Sequence, residues 1–210
     1  MEAIQYIALS MGVAWASGIN LYAAVFMLGY LGATGNITLP PDLLVVTDPL
    51  VMTTAGLMYC VEFFADKTPG VDTAWDSVHT FIRIPLGAVL AMSAIGETTP
   101  AVELAAFLVG GSLTAATHAT KTGGRAVINT SPEPVSNWTA SVGEDILVIT
   151  GIWTALNHPW IFVGFLVLFI LLMIWLLPKI YRVLKGIVIR CLDFIKGNKN
   201  PDTPVLRPPQ

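Results

Sequence analysis

The sequence predicts an all-α membrane protein of five or six transmembrane or re-entrant helices, arranged as two inverted three-helix repeats with broken helices. Three observations carry this reading. The chain is 54% hydrophobic and 12% charged with a mean hydropathy of +0.69, about half the charge of a soluble domain, so surplus apolar surface must face lipid. Apolar blocks near the roughly 20 residues that a membrane helix needs recur along it, punctuated by proline and glycine. All 11 Lys and Arg fall in three stretches that such a topology puts on one side.

At 210 residues there is room for one domain. The layout expected is a membrane domain over 1–178, with repeat one about 1–98 and repeat two about 99–178. A basic amphipathic juxtamembrane helix over 179–197 and a disordered, proline-rich cytoplasmic tail over 198–210 follow.

Segment A runs from about Ile4 to Leu31, long enough to span with tilt. Ala14-Trp15-Ala16 has the form of a signal-peptide cleavage site, but only Glu2 precedes it as a charge and the apolar character continues, so the segment is read as retained. Ser17-Gly18-Ile19-Asn20 interrupts it. A break there is tolerable only where protein or a wet cavity satisfies the freed backbone; the alternative is a small-residue contact with a neighbouring helix. Thr34 to Pro41 reads as loop, and Asp48-Pro49 starts segment B, which ends near Ala65. Pro69-Gly70 breaks the chain before segment C. The first half of C, to Arg83, is polar, and its apolar second half is too short to span, so C is expected to be bent at Pro85 or re-entrant.

Segment A′ covers about Ala101 to Thr120, B′ about Ser136 to Leu156 and C′ Trp160 to Leu177, the clearest span, with Trp160, Trp175 and Tyr181 placed as an aromatic belt. The halves share an order of elements rather than residue identity. An odd number of spans per half inverts them, as in many transporters. With both termini cytoplasmic, Asp66–Arg83, Lys121–Pro134 and the region beyond Pro178 lie inside. That last region either continues C′ or, as favoured here, lies along the anionic leaflet.

Asp66 to Arg83 holds three acids, two bases and one histidine between apolar blocks. Glu62 with Asp66, and Asp72 with Asp76, are spaced i, i+4, and His79 follows on the face of Asp72 and Asp76. Carboxylates and imidazole at that spacing suit a divalent metal, as a lipid-headgroup enzyme would use; capping of a helix start by Asp72 accounts for the same acid without a metal. Lys121-Thr122-Gly123-Gly124-Arg125 reads as an anion-accepting loop, with His118 at its mouth. Glu144 and Asp145 lie inside B′, where ionisable groups are functional candidates; they would pair with Lys121, Arg125 or Arg83, or carry a proton or cation. The candidate sites are therefore Asn20, Arg83, His118, Lys121, Gly123, Gly124 and Arg125 for an anionic solute or lipid headgroup, and Glu62, Asp66, Glu144 and Asp145 for an ion path. No cofactor is required beyond the metal considered for Asp72, Asp76 and His79. No Ser-His-Asp set, haem motif or nucleotide-binding glycine pattern is present, and nothing suggests nucleic acid.

Trp15–Ala24 (W-A-S-G-I-N-L-Y-A-A), Asp66–Ala88 and His118–Pro134 (H-A-T-K-T-G-G-R-A-V-I-N-T-S-P-E-P) resemble an uncharacterised prokaryotic integral-membrane family defined only as a domain of unknown function, over roughly residues 5 to 177. The resemblance implies a bacterial inner membrane and brings no substrate, cofactor or catalytic residue. The expected function is transport or flipping of a small anionic or amphipathic solute. A metal-dependent enzyme acting on a lipid headgroup and a non-catalytic membrane scaffold are the alternatives. The expected partners are membrane lipids, the solute and a second copy of the chain.

Overall fold

The structure is a computed structural model describing residues 2–68, 70–129 and 134–195. Among these residues it is all-helical: α1 (Ala3–Ala33), a short 3-10 helix (Pro41–Thr47), α2 (Pro49–Ala65), α3 (Val71–Ala94), α4 (Pro100–Ile128), α5 (Pro134–Asn157) and α6 (Pro159–Ile195). Proline opens α2, α4, α5 and α6, where its missing N–H removes a donor that would be orphaned anyway. The Asp48 carboxylate caps α2 by accepting from the Leu50 N–H at 2.8 Å. Gly70 and Gly96 (φ 85° and 78°) supply the left-handed turns before α3 and α4. α1, α3, α4 and the Pro159–Val183 part of α6 are long and apolar enough to cross a membrane. The 3-10 helix and α2, bent by 63°, make a fifth such unit. This is a multi-pass helical membrane protein.

α1 is two helices rather than one. Asn20 has φ −146° and ψ 97°, outside the helical region, and the chain turns back on itself there. Before the break, Gly12 lies against Ala155 and Phe162, Trp15 against Gly151, and Asn20 bonds Asp145, so the first arm descends along α5. After the break the order reverses. Gly56 lies against Phe26, Gly29 against Met52 and Gly32 against Thr47, so the second arm climbs α2 back toward its start. The two ends of α1 then meet again: Gln5 and Leu9 line one shallow cavity together with Asn36, Ile37, Thr38 and Ala155. A straight helix of 31 residues would hold Gln5 and Asn36 about 45 Å apart. The first segment is thus a re-entrant hairpin with Gly18 and Asn20 at its tip.

That geometry corrects the expected topology. Tyr6 packs on Gly96, and Gly12 on Phe162, so the start of α1 sits at the end of the bundle where α4 and α6 begin, the proline end. α6 runs the other way, with Met173 beside Thr120 and Ile180 on Gly123. The two ends of the chain's helical part therefore lie at opposite ends of the bundle, not on one side. Segment C is corrected too. α3 is an unbroken 24-residue helix through Pro85; the ionisable face of its first half turns into the bundle, with Asp72, Asp76, His79 and Arg83 all shielded. α6 continues without a break through Pro178 to Ile195, the continuing rather than the interfacial arrangement of its basic stretch. The tail expected over 198–210 lies outside the described residues.

The hairpin is the core. Trp15 is buried and makes edge-on contacts with Phe162, Phe165 and Phe169. Glycines let the helices approach: a Cβ on Gly18 would lie 2.6 Å from the Thr114 carbonyl oxygen and the Thr117 Cβ, and one on Gly110 2.3 Å from the Ala91 Cβ. Gly18→Leu should lower stability by about 1–3 kcal/mol, the cost of overpacking. Gly143→Leu, where an added Cβ meets open space, should be near neutral. Thermal unfolding in mild detergent measures both; an unchanged Gly18→Leu would remove the tip from the α1–α4 contact.

Candidate functional site

Breaking a helix in the bundle interior strands backbone groups, and the site is built from their satisfaction. Asn20 caps the second arm: its side-chain oxygen accepts from the Ala23 N–H at 3.0 Å, and its amide donates to Asp145 Oδ1 at 3.2 Å. The first arm ends at Ile19, whose carbonyl is freed from the helix. It accepts from Arg83 Nη1 at 2.8 Å and Lys121 Nζ at 3.1 Å. Cations belong at a helix C-terminus, where the backbone dipole leaves partial negative charge.

Those cations bring counter-charges. Arg83 pairs with Glu62 through a short bond. Lys121 reaches Asp66 at 2.8 Å and Glu62 at 3.2 Å. Arg125 holds Glu144 with both Nε and Nη2, at 3.2 and 2.7 Å, in the two-point geometry that a guanidinium suits. Its Nη1 donates to the backbone carbonyls of Asp66 (2.8 Å) and Asn137 (3.2 Å), tying the end of α2 to the start of α5. Asp76 completes the group, 3.5 Å from Arg83 and 3.6 Å from Lys121. Glu62, Asp76, Arg83 and Arg125 are at most 1% exposed, and only Glu144 has appreciable access, at 19% of its side chain.

Helical phase explains the convergence. Lys121 and Arg125 are one turn apart on α4, as are Glu62 and Asp66 at the end of α2, and the same faces turn inward. Lys121–Arg125 is accordingly not a loop, as the sequence suggested, but the last turns of α4. Gly123 lets Ile180 of α6 pack close, and Gly124 faces open space. Neither glycine presents converging backbone donors.

The residues considered for a metal do not gather. The Asp72 carboxylate accepts from the Gly70 and Thr73 N–H groups (2.8 and 2.6 Å) and from the Asn129 amide (2.8 Å), as a helix-capping acid does. His79 stacks on Trp75 and bonds the Trp75 carbonyl through Nδ1 at 2.9 Å. Asp76 turns into the ion-pair group. Among the described residues no set of three or more His, Cys, Asp or Glu side chains is placed to hold a metal. His118 lies at the tip rather than at a mouth, with Nε2 2.7 Å from the Thr80 hydroxyl.

Four participants have weak sequence signals. Lys67 is buried over the Phe63 ring and donates to the Phe63 carbonyl and to Ser141. Asn137 donates to Asn129, which donates to Asp72, closing a chain of amides at the charged end. Lys67 was legible as a charge beside Asp66; Asn129, Asn137 and Ser141 carry no charge to mark them as partners of the network.

An all-helical, multi-pass bundle with a re-entrant hairpin and a buried ion-pair network at its tip defines the class. The chain belongs to the family described as domain of unknown function DUF4126, whose model matches residues 7–179. No curated protein and no solved structure matches it.

Lys121 contacts Glu62, Asp66, Asp76 and the Ile19 carbonyl, so Lys121→Met should cost about 3–5 kcal/mol by leaving buried charge uncompensated. Adding Asp66→Asn should recover part of that loss. Thermal unfolding of the two single variants and the double variant reads the coupling; strict additivity would show that the pair is not energetically linked.

Proposed function

We propose that this protein carries a small anionic or amphipathic solute across the membrane, with its binding site at the hairpin tip. The observation that carries the reading is the buried trio Arg83, Lys121 and Arg125 gathered at a broken helix, the arrangement by which membrane carriers present charge and freed backbone to a solute. In the resting arrangement each cation is held by a carboxylate. A solute anion would take the place of one of them, most readily Glu144, the most accessible of the four acids. Asp145, beside Asn20, lines a groove with Phe26, Tyr30 and Tyr59 that opens between α2 and α5 and offers a lateral approach.

The charged end is assigned to the cytoplasm. Lys179, Arg182 and Lys185 on α6 lie at or beyond that end, whereas Lys67, Arg83, Lys121 and Arg125 are buried in the bundle and report less on topology than loop charges would. The start of α1 then faces outside and the end of α6 inside, in a bacterial inner membrane as the family resemblance implies. Element order supports treating α1–α3 and α4–α6 as inverted repeats that have diverged, because α1 is broken and α4 is not.

A second reading, a membrane scaffold, is favoured by the full pairing of the three cations. Proteoliposome assays separate the two. Efflux of a panel of inorganic anions and short carboxylates, and scrambling of a fluorescent phospholipid, should show one active species. Arg125→Ala and Glu144→Ala should each abolish it, with both variants eluting as folded protein. Normal flux in both variants, or no flux of any probe in wild type, would favour the scaffold.

A further inference from the structure

The ion-pair network has one carboxylate too many. Its members, linked by contacts within 4 Å, are the acids Glu62, Asp66, Asp76 and Glu144 and the bases Arg83, Lys121 and Arg125. The three bases each have a near partner: Arg83 has Glu62, Lys121 has Asp66 at 2.8 Å, and Arg125 has Glu144 at 2.7 Å. Asp76 is left over. It sits farther from both of its cations, at 3.5 and 3.6 Å, and neither carboxylate oxygen has a hydrogen-bond partner although the residue is fully buried. Of the nearby charges outside the group, Lys67 and Asp145 add one of each sign and leave the surplus at one. Asp72 is capped by backbone N–H groups and Asn129, and Asp145 is held by Asn20 with Lys67 on the same side.

An uncompensated carboxylate in a water-poor interior is costly, and such a group takes up a proton instead. We infer that the network holds one proton, seated on the Asp76 carboxyl, and that this proton makes the cluster electrically neutral. A metal cation is the poorer occupant, because the Arg83 guanidinium and the Lys121 ammonium already lie within 4 Å of Asp76 Oδ1 and would repel it. The groups facing Asp76 are Arg83 on its own helix, Glu62 and Asp66 from α2, and Lys121 and His118 from α4. The Thr80 hydroxyl donates to the backbone carbonyl of Asp76 and touches His118, which packs beside Gly18 at the hairpin tip. Resting on the carrier reading, the proton is also the coupling ion. With Asp76 ionised the cluster is net negative and repels an anion; with Asp76 protonated it is neutral, so proton and solute bind together.

Infrared spectroscopy of the purified full chain in nanodiscs at neutral pH, without solute, tests the site independently of transport. Wild type should show the carbonyl stretch of a protonated carboxyl, moving in heavy water if it exchanges. Asp76→Asn should lose that band and Asp76→Glu should keep one at shifted frequency, each variant checked for folding by its melting curve. Absence of the band in wild type, or its persistence in Asp76→Asn, overturns the assignment. Flux without the band leaves the carrier reading standing and removes this one; the band without flux of any probe does the reverse.

Discussion

The structure depends on one stranded backbone carbonyl. Once α1 turns back at Asn20, the oxygen of Ile19 has no helical donor and no access to water, and an orphaned polar group in such an interior costs on the order of 1–3 kcal/mol. Arg83 and Lys121 answer it, and the ion-pair network follows. Two cations brought to one carbonyl must themselves be neutralised, which requires Glu62 and Asp66 from α2. Placing the end of α2 there brings Arg125 onto the Asp66 carbonyl and, with it, Glu144 from α5. The hairpin tip is where four helices acquire their register.

Such a centre is not the cheapest way to hold helices together. Removing charges from water costs several kcal/mol per ion, and well-packed apolar residues of similar volume often do as well or better. Here the apolar contacts are supplied separately, by Trp15 with its three phenylalanines and by the close approaches at Gly12, Gly18 and Gly110. The fold therefore has a packing core toward the proline end and a charged core toward the other. The second is the part whose chemistry exceeds what cohesion requires, and it is the part that a solute or a proton would use.

Much of this was legible in the sequence, and the failures have physical causes. The polar run from Asp66 to Arg83, flanked by apolar blocks, was visible as the centre because charges placed so must be either solvated or paired. Gly18 and Asn20 marked the break because a glycine and an amide have little reason to sit together in an apolar run. What one dimension could not show was direction. A largely apolar segment of 28 residues satisfies the length of one span or of two half-length arms, and only the meeting of Gln5 with Asn36 decides. Gly123-Gly124 suggested a loop because glycine weakens isolated helices; Lys121 and Arg125, anchored one turn apart on the same partners, hold that helix together. Proline suggested a bend at Pro85, yet α3 passes through it. Asn129 and Asn137 were not assignable to the site because neutral amides announce no partner.

The most direct test of the account is proximity between the two ends of α1. In a chain with Cys60→Ser and Cys191→Ser, the pair Gln5→Cys and Thr38→Cys should cross-link in native membranes with a short bifunctional thiol reagent, since both positions line the same small cavity. Efficient cross-linking within single chains is the predicted result. Its absence, with both cysteines freely labelled by thiol reagents from opposite faces of the membrane, would mean that α1 spans as one helix, and the hairpin tip with its network would have to be abandoned.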